Sequence, residues 1–148
     1  MDWPFDFKTA VEFAMARNQE LIHQYKEYAR SVRTPSVSKV IQSILDQKSK
    51  HTEALQEILA STWVHQNPPL ALAQSLMGSI GRPKEETDAG VSLLNFVLTE
   101  ETRLAALYAC LRDASKDEEI QHKFRALSEA SLKFAGWVKD HLELLELF

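Results

Sequence analysis

The sequence predicts an all-α fold, an antiparallel four-helix bundle made of two helical hairpins joined by a long crossover. Three observations predict it. Glycine and proline are sparse, four and five in 148 residues, which favours a few long elements over many short ones. Apolar residues recur at alternating steps of three and four along four segments, the spacing of a bundle seam. Two of the links between segments are so short that each must turn the chain back along the helix it leaves.

The first segment, about 5–32, sets Phe7, Val11, Ala14, Leu21, Tyr25, Tyr28 and Val32 on one stripe. The second, about 35–63, does the same with Val37, Ile41, Ile44, Leu55 and Ile58. It opens on Pro35, whose missing N–H costs nothing in a first helical turn. Leu94, Val97, Leu104, Tyr108 and Leu111 mark the third, about 89–114; Ile120, Phe124, Leu127, Phe134, Val138 and Leu145 mark the fourth, about 117–148. Arg33-Thr34 and Ser115-Lys116 close the two hairpins.

Between the hairpins runs a connection, 64–88, containing Pro68-Pro69, Gly78, Gly81 and Pro83, with Leu70–Leu76 reading as a short helix. A 25-residue helix is about 38 Å long, so this connection can return along the height of the bundle. Leu72, Leu76 and Met77 would anchor it, with a mobile lid as the rival reading. The whole chain, 1–148, then forms one domain: hairpin 5–63, crossover 64–88 and hairpin 89–148.

The hairpins superpose in sequence at a constant offset of 83 without a gap. Phe13 falls on Phe96, Leu21 on Leu104, Tyr25 on Tyr108, Ile41 on Phe124, Ile44 on Leu127 and Leu59 on Leu142. Agreement of both seams and of the turn points to a duplicated hairpin with pseudo-twofold symmetry.

A net charge of −4 without a lysine- or arginine-rich run gives no footprint for nucleic acid. No uncharged apolar stretch of membrane-spanning length occurs, and Met1-Asp2-Trp3-Pro4 lacks the basic start of a secretory signal. The single cysteine, Cys110, has no internal disulfide partner and sits beside seam positions as a packed thiol, so a reducing, cytoplasmic location is expected. His23, His65, His122 and His141 are scattered, with His141 placed to pack near Trp63. Trp3, Phe5 and Phe7 at one end, and 142–148 at the other, either fold back on the bundle or dock on a second subunit.

The informative positions are those where the stripes stop being apolar. They are Asn18 in the first segment, Lys48 and His51 in the second, Glu101 in the third and Ser131 in the fourth. Counted from the turns, all lie at nearly one level. Each has a bland reading: a seam asparagine sets register, a seam lysine snorkels to solvent, and a core histidine is simply hydrogen-bonded. Their coincidence predicts a shared polar cluster in the middle of the core.

Those positions, with the stretches Ala10–Ala14, Tyr25–Ala29, Lys50–Leu55, Leu93–Val97 and Leu107-Tyr108, resemble the ferritin-like superfamily and rubrerythrin-like proteins in particular. The resemblance covers both hairpins. It implies a di-iron site fed by one glutamate from each of the first and third helices and a Glu-x-x-His pair from each of the second and fourth. Several carboxylates are needed there to bridge two hard cations, while imidazoles fix one face of each metal. Carried over residue by residue, the glutamate positions are Asn18 and Glu101. The Glu-x-x-His pairs read Lys48-Ser49-Lys50-His51 and Ser131-Leu132-Lys133-Phe134, so two of six ligands survive.

Charge arithmetic gives the depleted set a meaning. Four inward carboxylates need cations to offset their repulsion and desolvation. One carboxylate, Glu101, facing one ammonium, Lys48, needs none. The expectation is a Lys48–Glu101 ion pair bracketed by Asn18 and His51, in a non-catalytic scaffold or interaction module with no metal or other cofactor. The resemblance makes a homodimer the expected assembly. Two alternatives stand beside it. One is a metal-dependent oxidoreductase or iron handler with a reduced iron or other divalent-metal site on His51 and Glu101, helped by Asn18 or by Glu20, Glu53, Glu100 or Glu129 swinging inward. The other is a small-molecule binder using space where metals sat.

Overall fold

The computed structural model describes residues 2–61, 70–85 and 88–146. In chain order these form β1 (Asp2–Phe5), α1 (Phe7–Ala29), α2 (Pro35–Ala60), β2 (Leu70–Ala73), α3 (Gln74–Met77), α4 (Ala89–Ala114) and α5 (Glu118–Glu146). The protein is mostly helical. Its four long helices pack in a closed cycle, α1 against α2 and α4, and α5 against α4 and α2.

Local chemistry sets the helix ends. The Asp6 carboxylate accepts from the Thr9 N–H at 2.6 Å, and that of Asp88 from the N–H groups of Gly90 and Val91. Asp117 Oδ1 accepts from the N–H groups of Glu119 and Ile120 at 2.9 and 3.1 Å. Each side chain replaces a partner that the first turn of a helix lacks. α2 has no side-chain cap and relies on Pro35 in its first turn. α1 ends at Ala29, three residues before the expected Val32, because the chain tightens there. The Arg30, Ser31 and Val32 N–H groups bond the carbonyls three residues back, a pattern helices use to satisfy their last carbonyls.

The expected seams form the core. Of the stripe residues, Tyr28, Val32 and Leu145 are partly buried and all the others are buried. Of the pairs separated by 83, Leu21 and Leu104, Tyr25 and Tyr108, Ile41 and Phe124, Ile44 and Leu127 are all buried, Leu59 and Leu142 are both partly buried, and Phe13 is partly buried where Phe96 is buried. The first residues of α2 and α5, Pro35 and Glu118, obey the same offset.

The mostly helical chain is consistent with the expected all-α class, but two element boundaries need correction, because β1 and β2 pair antiparallel in a short ribbon, Asp2 opposite Ala73 and Phe5 opposite Leu70. Phe5 therefore belongs to a strand and not to the first helix. The stretch expected as one short helix, Leu70–Leu76, divides into β2 and the start of α3. The cause is tertiary. Pairing with β1 satisfies one edge of the 70–73 backbone, while Leu72 is fully buried and Phe5 and Leu70 pack on the core. Pro4 is tolerated because a two-stranded ribbon leaves each strand an open edge for the missing donor. Of the three expected anchors, Leu72 is buried, while Leu76 and Met77 are half-buried. His141 Nε2 lies 3.1 Å from Ser36 Oγ; the expected neighbour Trp63 falls outside the described residues, as do His65, Pro68-Pro69 and Phe148. Cys110 is partly buried against the core. No described helix is long and apolar enough to cross a membrane.

Candidate functional site

Seam geometry carries six polar residues inward. Asn18 and Tyr25 on α1 are two turns apart on the buried face, and Lys48 and His51 share a face of α2. Glu101 projects from α4 and Ser131 from α5. Asn18, Lys48, Glu101 and Ser131 are fully buried, and His51 is partly buried.

At the centre is an ion pair. Lys48 Nζ lies 2.9 Å from Glu101 Oε2 and 3.1 Å from Oε1, with both side chains sealed from solvent. The Tyr25 phenol donates to Glu101 Oε2 at 2.6 Å. Burial, and then the neighbouring Glu101 charge, push the Tyr25 phenol well above its ordinary pKa, so it keeps its proton and donates a hydrogen bond to the carboxylate. Lys48 Nζ also lies 5.7 Å from the centre of the Tyr25 ring. One acid is thus held by a forked ammonium and a phenol, and charge-assisted bonds of this kind are the strong ones in a low-dielectric core.

Asn18 locks this arrangement to α2. Its Nδ2 donates to the Lys48 carbonyl at 3.1 Å and to Thr52 Oγ1 at 3.0 Å. His51 stacks on Phe134 with ring centres 5.6 Å apart. Burial and the Lys48 charge lower its pKa to about 4, so the ring is neutral near pH 7. Four buried polar atoms of this layer, Asn18 Oδ1, His51 Nδ1, Tyr108 OH and Ser131 Oγ, have no hydrogen-bond partner among the described residues.

The structure therefore brings Lys48 and Glu101 into contact and ties Asn18 to the Lys48 backbone. It sets His51 within reach of the Lys48 charge and leaves the Ser131 Oγ buried with no hydrogen-bond partner among the described residues. Sequence reasoning missed Tyr25, Tyr108 and Thr52 as polar members. Tyr25 and Tyr108 read as bulky seam residues; the signal was a hydroxyl at both members of a repeat pair, where leucine or phenylalanine would pack as well.

The acids considered as substitutes do not join the layer. Glu20, Glu53 and Glu129 are exposed. Glu100, only 2% exposed, turns to the flank, accepting from the Gly81 N–H at 3.0 Å and pairing with Arg103 at 3.3 Å. Arg103 in turn donates to the carbonyls of Ser75, Gly78 and Ser79, and Arg17 also donates to that of Gly78. These contacts clasp the crossover to α1 and α4.

The donor set does not fit a di-iron centre. Both oxygens of its one inward carboxylate are engaged by an ammonium, and a divalent cation on them would face that ammonium across a low-dielectric gap. No group of three or more histidine, cysteine, aspartate or glutamate side chains that would hold a metal occurs among the described residues. Compared with protein-family models, with curated proteins and with solved structures, the chain matches none.

Proposed function

We propose that this chain is a ferritin-like, rubrerythrin-related antiparallel four-helix bundle in which a lysine–glutamate pair stands where a di-iron centre would be. In this reading it works as a non-catalytic scaffold or interaction module and assembles as a homodimer. The observation that carries the reading is the contact of Lys48 Nζ with both oxygens of Glu101, at zero exposure, at two of the six positions where the resemblance would put metal ligands. Lys48 supplies inside the core the positive charge that a cation supplies in a carboxylate cage. Phe134, fully buried at a histidine position, adds apolar volume where imidazole would bind. A sealed carboxylate with its oxygens occupied offers no base to a substrate.

A reduced metal site is the second reading, favoured by one observation: His51 Nδ1 is buried with no partner among the described residues, as a free imidazole ligand would be. Metal analysis of the purified protein separates the two. The proposal expects metal far below one ion per chain and an unfolding midpoint unchanged by a chelator. Stoichiometric iron or manganese, lost in both His51→Ala and Glu101→Ala, overturns it. Light scattering tests the dimer, which a mass of one chain contradicts.

A further inference from the structure

The repeat relates the mid-core layer to itself. At the offset of 83, Glu101 corresponds to Asn18, Tyr25 to Tyr108 and Lys48 to Ser131. Glu101, Tyr25 and Lys48 form one half of the layer, and their mutual bonds satisfy it. Their counterparts make up the other half, and each carries a buried polar atom without a partner among the described residues: Asn18 Oδ1, Tyr108 OH and Ser131 Oγ. Three orphans at the counterparts of a bonded triad are not a scatter of unrelated defects. Under the pseudo-twofold relation that the constant offset implies, the operation that brings the Tyr25 phenol to Glu101 would bring the Tyr108 phenol toward Asn18, and would turn Ser131 toward Asn18 as it turns Lys48 toward Glu101.

Side-chain length explains why the second triad does not close on itself. Asparagine is one methylene shorter than glutamate, and serine is three atoms shorter than lysine. The Asn18 amide cannot shift to meet the phenol, because its Nδ2 is spent on the Lys48 carbonyl and Thr52 Oγ1. Those two bonds also fix which way the amide faces, leaving Oδ1 as the free acceptor. A buried polar atom left unbonded costs stability, and native proteins satisfy such atoms with protein groups or ordered water. A buried water typically makes about three hydrogen bonds to groups of this kind.

We propose that this second half of the layer is a binding site for one buried water molecule, donating to Asn18 Oδ1 and bonding the hydroxyls of Tyr108 and Ser131. The water takes the place that the Lys48 ammonium holds in the first half. Charge selects water over ammonium or potassium. All three partners are neutral, the nearby Glu101 is already paired with Lys48, and a second cation would have no carboxylate of its own. The inference rests on the duplication and not on the proposal of a lost metal centre, so either can fail alone.

A high-resolution crystal structure of the protein, grown in rubidium salt, tests it. The expected result is one fully occupied density peak within hydrogen-bond distance of the three atoms, without anomalous signal. Direct bonds among the three side chains, a dry gap, or an anomalous peak from a monovalent cation would each overturn it. Tyr108→Phe gives an independent reading in solution. If the phenol is bonded to water, its removal raises the unfolding equilibrium constant about fivefold, the worth of one net hydrogen bond. If the phenol is bonded to nothing, the variant is as stable as the parent or more so, and the site is refuted.

Discussion

Glu100 and Glu101 are adjacent on α4 and almost equally hidden, 2% and 0% exposed, yet they do different work. A rotation of about 100° per residue sends Glu101 into the core and Glu100 to the flank. Glu101 meets Lys48 and Tyr25, which have no other route to water. Glu100 meets the Gly81 N–H and Arg103, whose side chain stays 24% exposed and whose guanidinium also holds three crossover carbonyls. The first carboxylate is part of the interior, and its loss strands a buried ammonium. The second belongs to a clasp whose partner can turn to solvent. Equal burial therefore does not mean equal energetic weight; what decides is whether the abandoned partner can be hydrated.

The largest expected effect breaks the inner pair. Lys48→Ala or Glu101→Ala should lower the unfolding free energy by roughly 3–5 kcal/mol, read from denaturant midpoints, because each leaves an uncompensated charge in the core. Replacing both together, as Lys48→Met with Glu101→Leu, should recover most of that loss. A double variant no better than the singles would show that packing, and not charge pairing, accounts for the cost.

Acid should act next, through His51. Its pKa is about 4 in the folded chain against an ordinary 6.5, so the unfolded chain binds more protons between those values. Stability is then fully present above about pH 6.5 and falls as pH drops toward 4, by about 2–3 kcal/mol from this group. His51→Phe, which keeps the stacking on Phe134, should flatten that part of the pH profile. An unchanged profile would remove His51 from the account.

Tyr25→Phe should cost about 2 kcal/mol, the range for a hydrogen bond to a charged acceptor. The clasp should respond more weakly and more locally. Arg103→Ala is expected to lower global stability by about 1 kcal/mol, while amide exchange at Gly81 speeds up with little change in α4. If exchange instead rose across all four long helices, the clasp would be as central as the inner pair. At the low end, Lys8→Ala removes an exposed pair with Glu12 at 3.9 Å and should change stability by less than about 0.5 kcal/mol.

The same contrast explains what was legible in the sequence. The seams of all four long helices were readable because Leu21, Ile41, Leu104 and Phe124 repeat at helical spacing whatever lies opposite them. The inward positions of Asn18, Lys48, Glu101 and Ser131 followed from the same periodicity. The Lys48–Glu101 contact followed from charge balance, since one acid and one base in a dry layer have nowhere else to turn. Three features were not legible. β2 reads as helix in Leu70-Ala-Leu-Ala, and only pairing with β1, far away in sequence, makes it a strand. Glu100 lies one residue off the seam, and its burial depends on the path of the crossover around Gly78 and Gly81. Tyr25 looked like bulk, because a phenol becomes a donor only when an acceptor from another helix reaches it.

The central claim is that Lys48 stands in for metal charge, and one measurement addresses it directly: the thermal unfolding midpoint with and without a divalent cation, in the parent chain and in Lys48→Glu. The substitution creates a Glu-x-x-His pair with His51 and sets two carboxylates face to face. The parent midpoint should not respond to manganese or iron. That of Lys48→Glu should be several degrees lower without metal and rise when metal is added. A parent chain stabilised by the cation, or a metal-free variant as stable as the parent, would contradict the account.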